Sequence, residues 1–243
     1  MLNNIEDILD IGVSSKKVLD LNSNSFVRSD MNKYKLVLEY ATEVVTEWFE
    51  EGKGLRGNYL RAFTAGNWID KKNNLRHLGF EGMTKKIIDK ALEVYNLIDR
   101  SKVNADYFEG KIDNEEHESQ RLDWHIWIDG KVVILEENRA WLDKPFYLQK
   151  RAVVRRFMIL PYCKKHLVDD IVFIFHTLQR DIKEASHRTA DLIDGYSENI
   201  VYCNLSGMKR KAKKYNYFDN GVDYQELSNY VNTLCGVFKK YEK

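Results

Sequence analysis

Proline is almost missing from this chain: Pro145 and Pro161 are the only two in 243 residues. No Pro-, Gly- or Ser-rich linker divides it and no internal repeat is found, so one domain over residues 1–243 is expected. Cysteine is scarce as well. Cys163, Cys203 and Cys235 lie far apart, without the paired spacing of a zinc site or the density of a disulfide scaffold. They suit a reducing compartment, as small core residues. No apolar run reaches the ~18 residues that a membrane-crossing helix requires. The opening stretch MLNNIEDILDIGVSSKK is acidic and interrupted by polar residues, unlike the apolar segment of a secretion signal. A surplus of one charge sign is missing too: the net charge is +1, so no overall field announces a polyanionic partner, and only local basic patches can serve one.

What is present is enough to build a core, with 44% hydrophobic residues against 31% charged. Asn32 to Glu51 is patterned as a helix, with Val37, Ala41, Val44, Val45 and Trp48 in one apolar stripe and Asp30 as its N-cap. Glu39, Glu43, Glu47 and Glu50 fill the remaining surface. Gly52-Lys53-Gly54-Leu55-Arg56-Gly57 spells G-x-G-x-x-G, but it follows a helix instead of a strand. It reads as a helix-stop loop and not as a dinucleotide site. Between Asn58 and Arg76, Tyr59, Phe63 and Trp68 mix with Arg61, Lys71, Lys72 and Arg76. With Arg56, this stretch fits either a nucleic-acid contact or an irregular surface segment.

Met83 to Arg100 is a second amphipathic helix, with Ile87, Ala91, Val94, Leu97 and Ile98 inward. Ser101 to Arg121 reads as a polar loop. Pro145 to Ile159 is helical, Pro145 being tolerated in a first turn, and its polar side carries Lys150, Arg151, Arg155 and Arg156. Asp169 to Leu178 is a strand buried on both faces. Arg180 to Asp194 is helix-like, and Asn199 to Leu205 is a short strand. Gly207 to Tyr217, with Lys209, Arg210, Lys211 and Lys213, is the one strongly basic run. Tyr224 to Lys240 closes the chain as a helix with Leu227, Val231, Leu234 and Phe238 on one side. The sum is an α/β (α+β) fold: a mixed central sheet flanked by helices, with a core over about 32–205 and a terminal helix at 223–241.

The organising stretch is Leu122 to Lys144, LDWHIWIDGKVVILEENRAWLDK. Asp129-Gly130 is the preferred pair for a two-residue type I′ turn. The arms, Trp124 to Ile128 and Lys131 to Leu135, are aromatic and β-branched, as strands prefer. Ile128 facing Lys131 then sets Asp123 opposite Glu136, with Asn138 on the same face and Glu137 on the other. A longer turn would exchange Glu136 and Glu137. Opposed carboxylates repel across a sheet, and a divalent cation between them relieves that repulsion. The plainer alternative is a pair of strand-end acids facing water, with Glu137 and Arg139 in a surface ion pair. His125 and His176 are isolated and read as sheet histidines.

A Glu-rich helix, a hairpin carrying Asp…Glu-x-Asn, a helix and then a buried strand resembles the PD-(D/E)XK nucleases, most closely the type II restriction endonucleases. The resemblance covers roughly residues 120–180 and, loosely, the first helix. It implies a restriction-endonuclease-like core in which Asp123 and Glu136 hold Mg²⁺ at a scissile phosphate, and a metal-dependent cut in double-stranded DNA. Glu47 or Glu43 would add a carboxylate from the helix. Asn138 takes the third motif position, where the family has Lys, and Leu122 stands in place of its Pro. Glu137 is the neighbouring acid, and Arg139, Lys144 or Lys150 is the basic group that would approach the site. Lys150, Arg151, Arg155, Lys209, Arg210, Lys211, Lys213, Arg56 and Arg61 are the expected DNA contacts. A homodimer on a palindromic site, in the cytoplasm of a prokaryotic cell, follows from the same resemblance. The competing expectations are a nucleic-acid-binding protein that uses the basic runs without chemistry, and a structural or interaction protein of a mobile element.

Overall fold

The computed structural model describes residues 28–64, 68–69, 75–76, 79–104, 123–139, 167–178, 200–206 and 217–243. Helix α1 spans Arg28–Gly52. It begins earlier than the apolar stripe alone requires, so Asp30 lies inside the helix and is not its cap; nothing between Arg28 and Asn32 is rigid enough to stop it. The stripe is where the periodicity sets it: Val37, Ala41, Val45 and Trp48 are buried and Val44 packs beside them. Gly54 and Gly57 have φ of 77° and 57°, the left-handed conformation that glycine adopts without strain, and they carry the chain out of α1 into helix α2, Gly57–Thr64. The segment expected to be irregular therefore starts as a helix. It continues into a small antiparallel pair, β1 (Trp68–Ile69) with β2 (Leu75–Arg76).

Helix α3 spans Phe80–Val94 and stops before Arg100 because Asn96 turns left-handed, with φ of 54°. Asn96 N–H donates to the Glu93 carbonyl at 3.0 Å and Leu97 N–H to the Leu92 carbonyl at 2.8 Å, the paired bonds of a Schellman stop. Leu97 is buried, but Ile98 lies beyond the helix and is exposed, not inward. A 3-10 turn at Ile98–Arg100 leads into β3, Ser101–Asn104, so the expected loop opens as a strand. The hairpin follows as β4 (Trp124–Ile128) and β5 (Lys131–Arg139). Then come β6 (Leu167–Thr177), β7 (Ile200–Asn204) and helix α4 (Tyr224–Lys239). The helices expected at Pro145–Ile159 and Arg180–Asp194 lie outside the described residues.

The fold is α/β: β3 to β7 form one five-stranded mixed sheet in chain order. β3, β4 and β5 are antiparallel neighbours, whereas β5–β6 and β6–β7 are parallel. Helices α1, α3 and α4 share one core with Ile126, Ile128, Ile134, Val172, Ile174 and Cys203 from the sheet. At one edge of that core Trp48 stacks on Phe63 and Phe80 and meets Phe218 edge-on. Gly52 is required there, since a Cβ would run into the Phe218 ring. Cys203 and Cys235 are buried free thiols; burial pushes both up from the usual thiol range, so they act as core residues. Among the described residues no helix is long and apolar enough to cross a membrane.

Candidate metal centre at the open end of the hairpin

The turn end of the hairpin forms as its chemistry dictates. Asp129 and Gly130 have φ of 49° and 74°, both positive as a type I′ turn demands, and Ile128 pairs with Lys131. Arg100 fixes the turn from outside: its carbonyl accepts the Asp129 N–H at 3.0 Å and its guanidinium pairs with the Asp129 carboxylate.

The open end differs from expectation. The register shifts between Ile126 and Trp127, so Trp127 pairs with Val132 while Ile126 pairs with Ile134. Val133 is the extra residue of a β-bulge. Beyond it Trp124, not Asp123, stands opposite Glu136. The side chains agree with this register. Trp124 donates its indole N–H to the Glu81 carbonyl at 3.1 Å and lies 3.2 Å from Thr84 Oγ1, so it faces α3. Glu136 faces the helices too, and accepts the Tyr230 hydroxyl of α4 at 3.0 Å. Asp123 precedes β4 and belongs to no strand pair, whereas Glu137, next to Glu136 in β5, points to the other face of the sheet. The pairing of Asp123 with Glu136 is thus corrected.

Glu136 is fully buried. Oε2 takes the Tyr230 hydroxyl, Oε1 takes the Asn138 side-chain amide at 3.3 Å, and His176 Nε2 lies 3.5 Å from Oε1. The His176 ring meets Tyr230 edge-on, centroids 4.3 Å apart. Both histidines are buried sheet residues, as expected, and His176 lies beside Glu136. Burial, with the Glu136 carboxylate beside it, pushes the Tyr230 phenol well above its usual range, so it is a permanent donor. Glu136 is therefore anchored in the core.

Asp123 and Glu137 are buried as well. One oxygen of Asp123 accepts the Asn138 backbone N–H at 2.6 Å. β4 ends at Trp124, and the Asp123 carboxylate takes up the ladder donor that the strand leaves. A charge-assisted bond of that length fixes the carboxylate's place.

Carboxylates are hard oxygen donors for divalent cations. Among the described residues no group of three or more His, Cys, Asp or Glu side chains is placed to hold a metal. Glu43 and Glu47 are exposed on α1 and do not complete such a group. Arg56 is exposed and paired with Asp219 at 2.7 Å. Arg61 lies in α2, with its side chain outside the described ones, as is that of Arg139 in β5. Lys150, Arg151, Arg155, Lys209, Arg210, Lys211 and Lys213 lie outside the described residues.

Sequence reasoning missed Tyr230. A signal was available: a Tyr within the stripe Leu227, Val231, Leu234 buries its ring and so needs a partner for its hydroxyl. Compared with protein-family models, curated proteins and solved structures, the chain matches none.

Proposed function

We propose that the chain is a magnesium-dependent nuclease in which Asp123 and Glu137, not Glu136, are the metal-holding acids. The observation that carries this is the bulge at Val133, which sets Trp124, not Asp123, opposite Glu136 and turns Glu136 to the helix-covered face, where Tyr230 and Asn138 take its oxygens. It also changes the motif. With Glu137 as second acid, the third position is Arg139, a cation as in the (D/E)-x-K of the nucleases that the sequence resembles. Arg cannot serve as a general base, since it stays charged, but it can neutralise a phosphate. Mg²⁺ held there would lower the pKa of a bound water and stabilise charge on the phosphate oxygens. Asp123 is held ready by the Asn138 N–H, and burial of both acids strengthens their hold on a cation.

Support for the nuclease class comes from the order of elements: helix, antiparallel hairpin, then a strand parallel to its second arm. Double-stranded DNA as substrate, a site-specific cut and a homodimer are carried by the resemblance. The test is a digest of plasmid and phage DNA with and without Mg²⁺. Discrete fragments that need Mg²⁺ are expected. Asp123→Ala should abolish them while binding to DNA without metal persists. Binding without any cut, in Mg²⁺ or Mn²⁺, would identify a non-catalytic DNA-binding protein instead.

A further inference from the structure

We infer that Tyr230 and Glu136 are positioning residues that help hold the Asp123 carboxylate from the helix-covered face of the sheet, acting through Asn138. The consequence for catalysis rests on the nuclease proposed above; the mechanical link does not.

The link is a continuous run of bonds. The Tyr230 hydroxyl donates to Glu136 Oε2, the Asn138 side-chain amide donates to Glu136 Oε1, and the Asn138 backbone N–H donates to Asp123 Oδ2. Each member is buried. Asn138 is the pivot. Its side chain lies on the helix-covered face with Glu136, while its peptide N–H lies in the plane of the sheet and points to where β4 has ended. In a regular ladder a partner strand would hold that N–H in place. Here β4 stops at Trp124, while on its other side β5 pairs with β6, Asn138 with His176; the Asn138 peptide is thus held along one edge by that ladder and through its side chain by Glu136, itself held by Tyr230.

Chemistry favours this division of labour. A buried carboxylate is costly unless donors surround it, and Glu136 has two, one of them a phenol that burial keeps protonated. With both oxygens engaged it acts as an anchor for β5. Bonds to a charged group are among the stronger ones in a protein, and residues that orient metal ligands change metal affinity or activity by about 10–100-fold when altered. The C-terminal helix thereby becomes part of the site without touching it.

The test uses the full chain without metal, and reads amide hydrogen exchange at Asn138 by NMR in the native protein and in Tyr230→Phe. The ring and its packing survive in that variant; only the hydroxyl goes. Exchange at Asn138 should quicken by about tenfold, the loss of one charge-assisted bond, while the Ile134 and Val172 amides keep their native rates. Asn138→Ala, which keeps the peptide N–H but removes its anchor, should quicken exchange at position 138 similarly after correction for intrinsic rates. In the presence of DNA, Tyr230→Phe should raise the Mg²⁺ concentration for half-maximal cleavage and lower kcat, with KM for DNA unchanged. Unchanged exchange at position 138 in both variants would overturn the inference. So would an equal rise along the whole of β5, which would make Tyr230 an ordinary core residue. If the native protein never cuts DNA, the nuclease proposal falls, and the exchange measurement still decides the link.

Discussion

Glu136 and Glu137 are neighbours in the chain and both are buried, but the two faces of β5 give them different surroundings. On the helix-covered face Glu136 meets a phenol, an amide and an imidazole, and its two oxygens are taken by Tyr230 and Asn138. Glu137 points to the other face, and at the end of β4 the Asp123 carboxylate is fixed by the Asn138 backbone N–H. One acid anchors the strand from the helix side; the other is turned to the opposite face. Burial alone does not separate these roles, since both residues are almost wholly covered. The face each occupies separates them, and a single extra residue, Val133, determines which acid faces the helices.

That dependence can be broken deliberately. Deleting Val133 removes the bulge but keeps Trp124 opposite Glu136, because the pairs on either side of it are already formed. We expect a folded protein that still cleaves, destabilised by about 1.5–3 kcal/mol for the loss of one buried Val, as measured by denaturant unfolding. Were the hairpin regular, the same deletion would turn every side chain from Glu136 onward to the other face, and both fold and cleavage would be lost.

A second carboxylate on the helix side sharpens the contrast. Glu226, in the first turn of α4, is pushed up to about 7 by burial and by the neighbouring Asp223, in spite of a bond from the Asn204 backbone. Its folded value exceeds the ordinary 4.5, so the native state binds a proton that the unfolded chain releases. Its contribution to stability is complete below 4.5, falls as pH rises, and is gone above about 7. Glu226→Gln should flatten that fall, making the variant the more stable protein at pH 8 by on the order of 2 kcal/mol. Urea unfolding at pH 5 and pH 8 measures it, and an unchanged pH slope would contradict the assignment.

The turn end of the hairpin should show the smallest effect. Gly130→Val forces a β-branched residue to a φ of 74°, at a cost of about 1–2 kcal/mol. Cleavage per folded molecule should stay as in the native protein, because the turn is remote from the acids. A loss of cleavage in a fully folded Gly130→Val protein would mean that the turn sets the site directly.

This contrast between the two ends of the hairpin also explains what the sequence made legible. Asp129-Gly130 announced the turn, since few residues tolerate two positive φ values in succession. The apolar periodicity of α1, α3 and α4 and the IVFIF run of β6 announced the helices and the buried strand. Asn96 did not announce the end of α3, because asparagine only sometimes adopts the left-handed conformation. The bulge left no mark at all. Val132 and Val133 are ordinary strand residues, without the glycine that often accompanies a bulge, and the extra residue is tolerated because both sides of the sheet can bury a valine. Parity beyond that point, and with it the choice between Glu136 and Glu137, is set by tertiary contacts: Trp124 reaching Glu81 and Thr84, and Tyr230 reaching Glu136.

The central claim, that one glutamate holds metal and the other holds the strand, is tested by single-turnover DNA cleavage in Mg²⁺ at fixed salt, with Glu137→Gln and Glu136→Gln side by side. Glu137→Gln should lose on the order of a thousandfold or more, because the bound metal supplies several kcal/mol of transition-state stabilisation. Glu136→Gln should lose about 10–100-fold, the cost of loosening a residue that orients a ligand. The reverse order, with Glu136→Gln inactive and Glu137→Gln close to native, would contradict it.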